Sequence, residues 1–156
     1  MHAAAPDTST TPRPHIGFRL LAMVYDLLPV VAMWFLASAL FTVGYTLAGH
    51  APRENIAPLS PLQWLLWLAC WLATGGYAVI SWRRGGQTLG MRPWRLQVTA
   101  PDGGPAPVKA LWVRYAVATV SLLAAGLGFA WAWVDRDRLT WHDRASNTRT
   151  RRLPKG

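Results

Sequence analysis

LLAMVYDLLPVVAMWFLASALFTVGYTLA, from Leu20 to Ala48, decides the fold, and Asp26 is its only charged side chain. A run of about 29 residues exceeds the roughly 20 that cross a hydrocarbon core at 1.5 Å per residue, so as a helix it must tilt or project. An ionisable group at that depth costs at least about 2.5–3.5 kcal/mol unless it is paired or faces a wet cavity. Arg19 stands seven positions upstream. That is close to two helical turns, so Arg19 and Asp26 share a face, roughly 10 Å apart along the axis. Pro29 frees a carbonyl near Tyr25 and Asp26, which permits either a plain kink or a local polar site.

Two more apolar stretches follow, Leu59 to Trp82 and Tyr115 to Val134, each long enough to cross a bilayer. Half of the 156 residues are hydrophobic and ten are Trp, which fits a single membrane domain better than a soluble one. The leader, residues 1–13, is polar and reads as a disordered tail, and the run after it is too long for a signal-peptide core. Residues 153–156 form a short tail. Ser60 and Pro61 make an N-cap and first helical position for the second segment. Trp64, Trp67 and Trp71 recur on one face of it, as interface anchors and packing residues.

The third segment is either a span or a re-entrant pair of half-helices broken at Gly126-Leu127-Gly128. The choice follows from charge. Lys and Arg number two in the leader with Arg19, one in the first loop (Arg53), five in the second loop and seven in the tail. The positive-inside rule places the leader and second loop in the cytoplasm. A third full span would deliver the basic tail outside, so the tail is expected to share the second loop's side, which a re-entrant hairpin allows if its turn is buried. Arg95-Leu96-Gln97-Val98-Thr99 and Thr148-Arg149-Thr150-Arg151-Arg152 both alternate, and could pair as a small β element. The fold expected is therefore an all-α membrane protein with two spanning helices, a third apolar segment, and a basic loop and tail.

The net charge of +9 is explained by basic residues flanking apolar segments, without a nucleic-acid module to accompany it. Cys70, the only cysteine, reads as a small buried hydrophobe. His2, His15, His50 and His142 are too scattered for a metal site. Gly85 to Gly90 lacks the Lys and Ser/Thr ending of a phosphate loop and reads as a turn at the membrane exit. His142-Asp143 has no nucleophile in a recognisable context. No enzyme, cofactor or nucleic-acid partner is expected. If the tail is cytoplasmic, Arg19, Asp26, Arg114 and Asp143 gather near one face, and Arg19 and Arg114 become candidate partners of Asp26.

These residues also carry a resemblance. Gly17-Phe18-Arg19-Leu20-Leu21-Ala22-Met23-Val24-Tyr25-Asp26 is similar to the opening helix of the RDD family of bacterial membrane proteins. Gly86-Gln87-Thr88-Leu89-Gly90-Met91-Arg92 and Trp141-His142-Asp143-Arg144-Ala145-Ser146-Asn147-Thr148 resemble its later motifs. The Arg and two Asp that name the family fall on Arg19, Asp26 and Asp143, and Arg114 matches the Arg usual before the last apolar segment. The resemblance spans residues 14–152. Ser146-Asn147 stands where the family more often has Leu or Ala then Gly, and the tail is more basic than usual. The resemblance implies a bacterial inner membrane location. Most members have no established activity, and some are linked to sodium–proton antiport. Two functions follow as expectations: an oligomeric ion or proton transport component using Asp26, or a non-transporting scaffold or partner-binding subunit whose charges are structural. The lipid bilayer is the common partner, with a second copy or another membrane protein beside it.

Overall fold

The computed structural model describes residues 15–49 and 57–154. The leader and most of the first loop, with Arg53, lie outside them. Helix α1 (Ile16–Leu47) runs unbroken through Pro29. Its 32 residues reach about 48 Å, well past the hydrocarbon thickness. Only Ile16, Arg19 and Ala22 are buried, while side chains such as Leu28 and Phe35 are 79% exposed. So large an apolar surface fits a bilayer rather than water.

Helix α2 (Pro61–Gly85) starts as the sequence predicts, with Ser60 Oγ accepting from Gln63 N at 3.3 Å and Pro61 in the first turn. It ends at Gly86, whose φ of 71° closes the helix on a left-handed cap. Both α1 and α2 are long and apolar enough to cross a membrane. Helix α2 lies between α1 and α3 (Val108–Leu123), touching both. Side-chain bonds join the three: Trp34 Nε1 donates to Thr74 at 2.8 Å, Trp71 Nε1 to Thr119 at 3.1 Å, and Tyr115 Oη to the Trp71 carbonyl at 2.9 Å. Such bonds serve as glue where lipid removes the hydrophobic drive between helices. Trp71 thus packs between helices, whereas Trp64 and Trp67 pair edge-to-face at the exposed start of α2.

Helix α3 begins seven residues before the apolar run at Tyr115, and its first two turns already bury Leu111 and Arg114 at the end of the bundle. It is only 16 residues, about 24 Å, and too short to cross alone. Ala125 and Gly126 then take left-handed dihedrals, and Gly126 N donates back to the Ser121 carbonyl at 2.8 Å, the long bond of a Schellman turn. The chain bends by 109° into α4 (Leu127–Ala130) and a 3₁₀ turn (Trp131–Trp133). A Cβ on Gly128 would collide with Ser121 Oγ and stand 2.9 Å from Trp141, so glycine lets α4 fold onto α3. The expected break at Gly126-Leu127-Gly128 is therefore real.

The short α5 (Trp141–Ala145) packs on α3 and leads to β2 (Arg149–Arg152). β2 pairs antiparallel with β1 (Leu96–Thr99), with Leu96 opposite Arg152 and Thr99 opposite Arg149. Tail and second loop consequently occupy one end of the bundle, where α1 begins and α2 ends. A third complete span is incompatible with that pairing. The buried core sits at this same end: Ala22, Val79, Met91, Leu96, Val98 and Leu111, flanked by Phe18, Trp82, Trp94 and Trp112.

Candidate functional site: a buried ion triad, an aspartate bracket and a cavity

Three distant segments converge on Asp143. Arg19 Nη1 lies 2.6 Å from Asp143 Oδ2, and Arg114 Nη1 lies 2.5 Å from Oδ1. The carboxylate has no exposed surface, and the two guanidiniums have almost none. Helix α5 aims it. Thr140 is the N-cap, accepting from Asp143 N, while Asp143 Oδ2 accepts from Thr140 N, a capping box. Threonines take further guanidinium donors: Arg19 reaches Thr140 at 3.2 Å, and Arg114 reaches Thr148 and Thr150 at 2.7 Å each. Arg114 also lies over the Trp82 ring, 5.4 Å from its centroid. Burial opposes ionisation of Asp143, but Arg114 and then Arg19 outweigh it and hold its carboxyl far below the usual carboxylate range.

A Schellman turn sets the threonines. Asn147 takes φ 48° after α5, Asn147 N donates to the Arg144 carbonyl and Thr148 N to the Asp143 carbonyl. Asparagine tolerates the left-handed position better than other non-glycine residues, so it fills the place where a glycine is usual. The turn swings Thr148 and Thr150 under Arg114.

Asp26 has different partners. Its Oδ1 accepts from Tyr77 Oη at 2.8 Å and from Gly90 N at 2.9 Å, and its Oδ2 from Thr88 Oγ1 at 2.5 Å. Tyr77 Oη in turn accepts from Leu89 N at 3.0 Å. A Cβ on Gly90 would overlap the Ala22 carbonyl and stand 2.8 Å from Asp26 Cγ, so only glycine lets the loop approach α1 so closely. The loop at the end of α2 thus brackets Asp26. The expected pairing of Asp26 with Arg19 and Arg114 is corrected: both arginines bind Asp143. Two turns of helix separate Arg19 from Asp26, whereas the returning tail carries Asp143 directly to the guanidinium.

His142 is buried beside the triad, its ring 4.7 Å from that of Phe129. Burial, and after it the Arg114 charge, push the imidazole well below its ordinary range, so it is neutral at pH 7. Its Nδ1 has no hydrogen-bond partner among the described residues, nor has Arg19 Nε. Both side chains line a half-open cavity of about 320 Å³ between α1, α2 and α3. Asp26, Arg114 and Thr88 also line it, and its walls are apolar, with Leu27, Val30 and Ala118 among them. At the surface, Arg144 bridges Asp135 at 2.6 Å and Asp137 at 3.2 Å, outside this centre. No three His, Cys, Asp or Glu side chains converge as a metal site would need, among the described residues.

Of the four candidate residues, the structure joins Arg19, Arg114 and Asp143 and sets Asp26 apart. The sequence reading missed Tyr77, Thr88 and the Gly90 amide around Asp26, and Thr140, Thr148 and Thr150 around the arginines. The signal for Thr88 and Gly90 was present in Gln87-Thr88-Leu89-Gly90, quoted for its resemblance but not joined to Asp26.

No curated protein and no solved structure matches the chain. The model of the RDD family matches residues 13–147, most of the chain, and the protein belongs to that family.

Proposed function

We propose that this RDD family protein is a non-transporting membrane subunit whose motif charges hold a fixed bundle for a partner in the bilayer. The observation that supports it most is the complete sequestration of Asp143. It sits between two guanidiniums with no exposed surface, and its acceptors are used. A carrier group must release one partner to take another, and breaking a buried pair costs about 3–5 kcal/mol. Asp26, with three donors, ties α1 to the loop after α2 in the same structural sense. The reading requires no catalytic chemistry.

The end of the bundle that holds the triad also carries the basic second loop and tail, which supports a cytoplasmic position for it and for the start of α1 under the positive-inside rule. Apolar helical spans and membership of the family support a bacterial inner-membrane location. Its partner is a second copy or another membrane protein, for which the exposed apolar faces of α1 and α2 are available.

One observation favours the transport reading: Asp26 is only partly buried and lines the cavity. Folded yield and thermal stability of Asp26→Asn, Arg19→Gln and Arg114→Gln separate the two. The structural reading expects all three to lose folded protein. A folded Asp26→Asn protein of unchanged stability, with a wild type that moves protons or sodium across liposomes, would replace it with transport.

A further inference from the structure

We propose that the cavity between α1, α2 and α3 binds a single-chain lipid whose head presents acceptor oxygens, a carboxylate or a phosphate. The chemistry of the lining is divided. Most of the wall is apolar, with Leu27, Val30, Ala118 and Phe129 among its residues. At one end stand Arg19, Arg114 and His142, all buried. The two arginines share a single carboxylate, Asp143, so the triad carries one uncompensated positive charge.

Arg19 Nε and His142 Nδ1 have no partner among the described residues. An arginine nitrogen is donor-only and calls for an acceptor oxygen, and a neutral imidazole meets the same oxygen as a donor when its proton sits on Nδ1. Buried donors without partners are rare enough in folded proteins to need an explanation, and a ligand oxygen supplies one. Asp26 lines the same cavity with the opposite charge, but Tyr77, Thr88 and Gly90 already cover its oxygens. An anionic head therefore belongs at the Arg19–His142 end. A half-open cavity of about 320 Å³ is at the lower end of the range that small-molecule sites occupy, and one chain is enough to fill it. The site is independent of whether the protein transports an ion.

Native mass spectrometry of the detergent-purified protein tests this with four probes of equal chain length: oleic acid, its methyl ester, oleoyl lysophosphatidic acid and oleyl trimethylammonium. One equivalent of the acid or of the lysophosphatidic acid should bind, at least tenfold more tightly than the ester or the cation. Which of the two binds more tightly identifies the carboxylate or phosphate source. Ala118→Trp fills the cavity one helical turn beyond Arg114 and should weaken binding at least tenfold while the protein stays folded. His142→Phe keeps the ring and removes the nitrogens, and should reduce the preference of acid over ester. Equal binding of all four probes, or unchanged binding in a folded Ala118→Trp protein, would overturn the proposal.

Discussion

Replacing Asp143 with Asn should be the most damaging conservative change in the protein. The side chain keeps its shape but loses its charge, and one oxygen becomes a donor facing Arg19 or Arg114. Both guanidiniums lie within 2.6 Å of the present carboxylate and are nearly free of solvent. Their neighbours are neutral threonine hydroxyls, which do not balance a cation. An uncompensated buried charge costs about 3–5 kcal/mol when one partner of a pair is removed. That is comparable with the total stability of many domains, about 5–15 kcal/mol. Unfolding by sodium dodecyl sulfate in mixed micelles, followed by Trp fluorescence, measures the loss. The pH dependence gives a second reading. The folded carboxyl is held far below its unfolded value near 3.9, so its contribution is complete above about pH 4 and fades only as pH falls below that. Wild type and variant should therefore differ by the same amount from pH 5 to pH 8. Removing Arg114 as well should cost less than the sum of the single changes, because the two groups act on each other. A loss under about 1 kcal/mol in Asp143→Asn would refute the triad as a structural element, because a buried pair should cost several times that.

Four further changes probe separate joints. His142 is buried with its imidazole pushed down, so the unfolded chain binds a proton that the folded one does not as pH falls below about 6.5. Stability should fall by about 1.4 kcal/mol per pH unit below that point from this group, and His142→Gln should remove that slope in a pH series of unfolding curves. Gly90→Ala should cost about 1–3 kcal/mol in the same assay, because its methyl meets the Ala22 carbonyl and Asp26. Asn147→Ala should cost about 1 kcal/mol and Asn147→Gly nothing, since the left-handed turn is all that the position demands. Arg144→Ala should change stability by less than about 1 kcal/mol, because its own side chain is more than half exposed, although Asp135 is nearly covered.

The segments and their order were legible because each has a local cause. Length and apolarity gave α1 and α2, Ser60 and Pro61 gave the start of α2, and Gly126-Leu127-Gly128 gave the bend. Charge counting pointed to the tail's return, and alternation gave both strands, which the sheet then paired. Asp26 was misread because periodicity ranks residues along one helix. It put Arg19 on the correct face but said nothing of Asp143, 124 residues away, which returns to within 2.6 Å of it. The bracket around Asp26 likewise joins residues 51 to 64 positions distant, where no spacing rule applies. Asn147 was noted as a departure from the usual glycine, yet its dihedral shows that it performs the same task.

Sodium and proton flux in liposomes containing the purified protein, beside Asp26→Asn, tests the structural account most directly. The account predicts that wild type leaks no faster than empty liposomes and that Asp26→Asn loses stability. Gradient-driven flux in the wild type that disappears in a fully folded, equally stable Asp26→Asn protein would contradict it.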